Sequence, residues 1–456
     1  MAEYRISRSD LRRARIRAAL MALFVLIATV GAAAVPALAA KPPKDSPPPE
    51  ETTTTTTVPV EEPSESWFDQ WEDASALSNY APGQYEGSLY WITNKLTGAS
   101  DYWQAGYTGA GIDIALIDTG VVPIDGLRYP DKVINGPDLS FESQAENLRY
   151  LDTFGHGTHL AGIIAGRSDD ADNVTSGNSS AFLGMAPGAR IVNVKVADSQ
   201  GAVDVSQVIA AVDWVIQHRN DNGMNIRVIN LAYGTDSLQP YQIDPLSHIV
   251  EQAWNAGIVV VVAAGNEGNP NPLRNPATNP FVIAVGAMDS NASLHLANGL
   301  VPTFSNCGTS ERFVDIVAPG KSIVSLRNPG SHADEFYPEA VVAGGYFLGS
   351  GTSQAAAVVS GGVALLLEQR PELTPDEVKQ LLTHDTATIL DSAHFSCQGG
   401  GALNLAEALD APTPTTQSSD QTHEESVGTG TLEAARGSDH IYDEGVPLTG
   451  EQDILT

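Results

Sequence analysis

The sequence predicts one α/β domain with a central, mostly parallel β-sheet flanked by helices. Short runs rich in β-branched residues recur at 112–117, 191–196, 226–231, 258–264, 281–285 and 314–317. Several are continuously apolar rather than alternating, as in strands buried on both faces. Helical patterns intervene at 157–166, 204–219 and about 246–256. Alternation of strand and helix is what a parallel sheet with crossover helices produces.

A longer apolar pattern follows at 354–368, and then Thr374-Pro375-Asp376-Glu377. This is a capping box with proline at the first helical position, and it predicts a helix to about Thr383. The domain so outlined spans 101–411. The flanks differ from it in composition. Residues 1–17 carry six arginines, an apolar run follows to about Val35, and Ala37-Leu38-Ala39 supplies a small-x-small site. That three-part pattern predicts a secretory signal peptide over 1–39, with an uncleaved anchor as the rival reading.

Residues 40–66 are rich in Pro, Thr and Glu and lack the apolar side chains needed to offset ordering entropy, so they read as a disordered linker. Aromatics return in 67–100, which predicts an N-terminal arm packed on the domain. Residues 412–456 hold nine acids against Arg436 alone and read as an acidic disordered tail.

The formal net charge is −31, and loss of 1–39 leaves −35. So acidic a surface argues against a nucleic-acid partner, because phosphate backbones attract basic surfaces. With only Cys307 and Cys397, the 456-residue chain has no disulfide framework and no cysteine metal cluster. The two either bridge or remain separate buried thiols.

The chemistry lies where strands end. In open α/β sheets the working residues gather at the carboxyl edge of the strands. Asp118 ends the run Ile114-Ala115-Leu116-Ile117 and precedes Thr119-Gly120. His156 sits in Asp152-Thr153-Phe154-Gly155-His156-Gly157-Thr158-His159, at the start of a helical pattern. A zinc helix would need His-Glu-x-x-His, and that glutamate is missing, so His159 reads as a packing residue. Ser353 follows Gly349-Ser350-Gly351-Thr352 and opens the long helix, where free backbone N–H groups and the helix dipole favour a developing anion. Asn266, in Ala263-Ala264-Gly265-Asn266-Glu267-Gly268, ends the most apolar strand and carries an amide able to donate to such an anion. Each of these residues alone has an ordinary structural explanation as a turn, cap or packing residue.

Together the motifs closely resemble the subtilase family of serine peptidases. Asp-Thr-Gly at Asp118, His-Gly-Thr-His at His156 and Gly-Thr-Ser at Ser353 occur in that family's order, from about Tyr85 to Asp410. The resemblance implies a subtilisin-like three-layer fold and peptide-bond hydrolysis by a triad of Asp118, His156 and Ser353, with Asn266 in the oxyanion hole. It also implies that Leu231, Ala232, Tyr233 and Gly234 bind the substrate backbone as an added strand, with Glu267 bordering the primary pocket. Arg274 either brings positive charge into that pocket or faces water. The chemistry needs no cofactor. The acidic loop with Asp169, Asp170, Asp172 and Asn178 reads either as a structural Ca²⁺ site or as a solvated loop.

This chain departs from the family pattern at several positions. Ala232 stands where Ser is usual, Gln354 where Met is usual, Ala357 where Pro is usual and Val358 where His is common. Nothing between 40 and 85 reads as a globular pro-segment. The expected protein is thus a secreted, monomeric endopeptidase acting on polypeptides, without stable membrane insertion once the signal is removed. The alternative is a secreted peptide-binding protein with a weak or inactive site. A serine esterase of the α/β-hydrolase type is disfavoured, since it runs Ser, acid, His and needs Gly-x-Ser-x-Gly.

Overall fold

The computed structural model describes residues 87–168, 181–342, 344–415, 419, 421–438 and the strand residues 442–443 and 446–447. The signal, the linker, residues 67–86 of the arm and the loop bearing Asp169, Asp170, Asp172 and Asn178 lie outside the described residues.

Seven parallel strands form the central sheet: β1 (Asp113–Asp118), β2 (Val133–Asp138), β3 (Arg190–Lys195), β4 (Ile226–Leu231), β5 (Val259–Ala263), β6 (Ile283–Met288) and β7 (Ile316–Pro319). Their order is β2-β3-β1-β4-β5-β6-β7. Every residue of β1, β5, β6 and β7 is buried, which accounts for the apolar runs within them. β2 escaped the sequence reading. It is an outer strand reading Val-Ile-Asn-Gly-Pro-Asp and is mostly half-buried, so it carries no apolar run to reveal it.

Helices cover the sheet. α1 (His156–Ala165) and α4 (Thr352–Gln369) pack on each other, and α4 lies across β4, β5, β6 and β7. α2 (Val205–His218) and α3 (Pro245–Asn255) form a second packed pair. Their starts are set by local chemistry. The Asp204 carboxylate accepts the Ser206 N–H at 2.9 Å, and the Gln207 side chain returns to the Asp204 N–H at 2.6 Å. Asp244 caps α3 through the Ser247 N–H at 2.9 Å, with Pro245 next in line. The Thr374 capping box forms as expected and opens Pro375–Gln380, which widens into a π-helical turn over Leu381–Asp385. α4 is buried from Thr352 to Leu367 and runs without a break through Ala357.

Three expectations change or resolve. First, residues 87–100, expected as an arm packed on the domain, enter its core. Leu89, Ile92, Leu96 and Ala99 are buried, and the Leu405 N–H donates to the Thr97 carbonyl at 2.7 Å. Second, Cys307 and Cys397 are joined in a disulfide across 90 positions of sequence. Third, residues 421–438, expected within a disordered tail, pack on the domain. Their Ser426 N–H donates to both oxygens of Glu251 at 3.0 and 3.1 Å. Ala435 is buried and its carbonyl accepts from Thr235 Oγ1 at 2.5 Å, while Arg436 pairs with Asp204 at 2.6 Å. Composition alone misleads here, because the acids that matter sit on the domain and are met by N–H groups, hydroxyls and one arginine of this segment.

Candidate active site

All strands of the central sheet are parallel, so β1 and β5 deliver their last residues to the same edge of the sheet, where α1 and α4 begin. Asp118 is the last residue of β1 and His156 the first of α1. Glycine makes their approach feasible. A Cβ on Gly157 would stand 2.2 Å from the Gly120 carbonyl oxygen and 3.2 Å from Asp118 Oδ1. His156 Nδ1 lies 2.8 Å from Asp118 Oδ1 and 3.0 Å from Oδ2. A carboxylate only accepts, so Nδ1 carries the proton and Nε2 remains the basic nitrogen. Burial disfavours the imidazolium, but the charge and hydrogen bond of Asp118 outweigh it, with help from Asp152, and hold His156 above the ordinary histidine value.

Ser353 is the second residue of α4, 8% exposed, behind the extended Gly351. Asn266 is exposed just beyond β5. Its Oδ1 accepts the Thr352 N–H at 2.8 Å and the Thr352 hydroxyl at 3.1 Å. That anchoring turns the Nδ2 donor away from Thr352, one residue before Ser353. Gln354, 6% exposed, lies against Gly349 and Gly351, where a Cβ would meet its amide at 2.8 Å in each case. His159 takes no part in this pairing. It is buried, its Nε2 contacts the Phe347 carbonyl at 3.1 Å, and burial followed by the nearby His156 pushes it down to about 4, so it is neutral. Among the described residues no cluster of His, Cys, Asp and Glu could hold a metal ion.

Residues 109–430 match the model of the subtilase family. The chain belongs to the subtilase family. Serine protease AprX of Bacillus subtilis (strain 168) is 38% identical over 312 residues, covering 66% of this chain and 67% of that protein. Subtilisin of Bacillus pumilus is 34% identical over 306 residues, covering 66% of this chain and 92% of that protein. Minor extracellular protease Epr of Bacillus subtilis (strain 168) is 29% identical over 310 residues, covering 68% of this chain and 40% of that protein. The crystal structure of a cold adapted subtilisin-like serine proteinase aligns with a TM-score of 0.49 at 28% identity, over 65% of this chain and 90% of the other. This subtilase is a serine-type endopeptidase, and its seven-stranded parallel sheet flanked by helices is the subtilisin-like three-layer fold.

Beside the turn that follows β5 lies a cavity of about 890 Å³, lined in part by Asp236, Tyr241, Glu267, Arg274 and Asn306. Leu231 is buried at the end of β4, and Ala232, Tyr233 and Gly234 follow, half-buried, towards this cavity. Arg274 does not simply face water. Its stem runs between two glycines, so that a Cβ on Gly234 would meet its Cβ at 2.5 Å and one on Gly265 its Cγ at 2.7 Å. Its Nε pairs with Glu267 Oε1 at 3.0 Å, and its Nη1 stands 3.9 Å from Asp236.

Three supporting residues went unread in the sequence. Asn306, 1% exposed, accepts the N–H groups of Glu267 and Gly268, both at 2.8 Å, and donates to Glu267 Oε2 at 2.7 Å and to the Pro272 carbonyl at 2.8 Å. It shapes the turn behind Asn266 from 40 positions further on, a separation that no local pattern reveals. Asp152 and Thr119, by contrast, were visible inside the quoted motifs. Asp152 stands four before His156 and Thr119 directly after Asp118, but nothing in the sequence showed that they touch.

Proposed function

We propose that this subtilase is an exported endopeptidase that hydrolyses peptide bonds through Asp118, His156 and Ser353. One observation carries the reading. The His156 imidazole is clamped by both oxygens of Asp118 at the edge of the sheet where α4 presents Ser353. In the reaction, Ser353 Oγ attacks the scissile carbonyl carbon and His156 Nε2 takes the hydroxyl proton. The carbonyl oxygen becomes an oxyanion held by the Asn266 amide and the Ser353 N–H at the start of α4. Collapse expels the amine, which receives the proton from His156. Water then attacks the acyl-serine by the same proton route, and free Ser353 is regenerated.

Asp118 holds the imidazole in the productive tautomer and stabilises the imidazolium. The polypeptide substrate lies as an added strand along Leu231, Ala232, Tyr233 and Gly234, with Glu267 at the rim of the pocket for the side chain that precedes the cleaved bond. Export is supported by the basic, apolar and small-x-small succession in 1–39, and by the Cys307–Cys397 bridge, which suits an oxidising compartment. No helix among the described residues is long and apolar enough to cross a membrane.

Labelling with a fluorophosphonate, followed by peptide mapping, tests the triad. A single adduct on Ser353, abolished in Ser353→Ala, is the expected result. Absence of an adduct on the folded, secreted protein would overturn the reading and leave a peptide-binding protein with an inactive site.

A further inference from the structure

Asp152 is an acid the reaction does not consume, yet it is 2% exposed beside the reacting histidine. Its Oδ1 accepts the Gly155 N–H at 2.6 Å and the Thr119 hydroxyl at 2.7 Å, and its Oδ2 accepts the Thr158 N–H at 2.8 Å. Thr119 Oγ1 in turn accepts the Gly157 N–H at 2.9 Å, while the Thr119 N–H donates to Asp118 Oδ1 at 2.8 Å. The backbone amides on both sides of His156 are therefore held by Asp152, directly or through Thr119. The residue that normally caps a helix is here Gly155, which has no side chain to offer and sits at φ 104°. Asp152 meets the free N–H groups of α1 from three residues upstream, and it reaches β1 in the same move.

A cap alone has no need of the strand end. We propose that Asp152 is a positioning residue for peptide hydrolysis: with Thr119 it locks the start of α1 against the end of β1, so that the Asp118–His156 pair is held ready for Ser353. Its carboxylate also lies near enough to the ring to favour the imidazolium that forms during attack. The other titratable or charged groups around the ring are few. Asp118 lies on β1 and neutral His159 one turn along α1.

The inference rests on the triad reading above, and Asp152→Asn in the full-length enzyme tests it. The expected result is a fall in kcat of about 10- to 100-fold, the scale of a small misplacement of a reacting group, with KM nearly unchanged. The acid limb of kcat against pH should also move to lower pH, because one carboxylate that favours the protonated ring is gone. A cap without a catalytic role would lower the melting temperature and leave both kinetic readouts where they were, and that outcome overturns the proposal. Thr119→Val removes the hydroxyl at near-constant volume and decides the matter if Asp152→Asn does not fold. It should lower kcat in the same way, and where both fold the double variant should fall short of the product of the two effects. Failure of the triad reading is distinguishable, since the parent enzyme would then take no fluorophosphonate on Ser353.

Discussion

The side-chain oxygen of Asn266 accepts from Thr352, which leaves its amide hydrogens for the oxyanion proposed above. Asn266→Ala should lower kcat about 10²–10³-fold with little change in KM, the loss known for a subtilisin deprived of its oxyanion donor. Steady-state kinetics on a chromogenic peptide check this, and an unchanged kcat would remove Asn266 from the mechanism. Asp118→Asn presents the wrong partner to Nδ1 and should cost about 10⁴ in kcat. The pH profile carries a second, signed expectation. The base works only when neutral, so activity falls as pH drops through the His156 pKa, which the parent enzyme holds above the ordinary value. Without the Asp118 charge the acid limb moves to lower pH. Glu267 restrains Arg274 in the pocket wall. Glu267→Gln should release that positive charge and raise the preference for acidic over apolar side chains before the cleaved bond by up to about 5-fold, the worth of a half-exposed ion pair. Profiling a peptide library before and after the change measures it.

At the scale of elements, α2 begins at Asp204, and that same carboxylate receives Arg436 from the C-terminal segment. The ion pair is mostly buried, with side chains 12% and 10% exposed, so it is shielded from salt. Arg436→Ala leaves Asp204 its cap bond but loses a charge-assisted pair, which should cost about 1–3 kcal/mol in urea unfolding. Equal midpoints for the two proteins would show that the segment 421–438 rests on the domain without supporting it. The main strands and helices were legible because their residues repeat at the spacing of their own backbone. β2 was not, since an outer strand with one turn-like Asn-Gly-Pro stretch shows no such spacing.

The disulfide acts on the whole molecule. Cys307 follows the turn region shaped by Asn306, and Cys397 lies after α4, so the bridge closes a span of 90 positions that includes Ser353. Replacing both cysteines by serine should cost about 4 kcal/mol through the larger freedom of the unfolded chain. Denaturant unfolding of the double variant measures the loss, and reductant should have no further effect on it. Activity at low denaturant should persist, because the bridge touches neither Asp118, His156, Ser353 nor Asn266.

The candidate site was legible in the sequence: Asp118, His156, Ser353 and Asn266 stand in short motifs whose glycines and small residues announce a turn at a strand end. The sequence also determined the sheet class, through runs too apolar to have a wet face. Which distant groups support those residues is visible only in the folded chain. Asp152 and Thr119 are joined across 33 positions, Asn306 to Glu267 across 39, and Arg436 to Asp204 across 232. Hydrogen bonds between such residues leave no periodicity in the chain, because their partners are chosen by the fold and not by spacing along it. The same reason explains the C-terminal segment. Its composition is that of a solvated tail, and its order comes from acceptors and donors that the folded domain supplies.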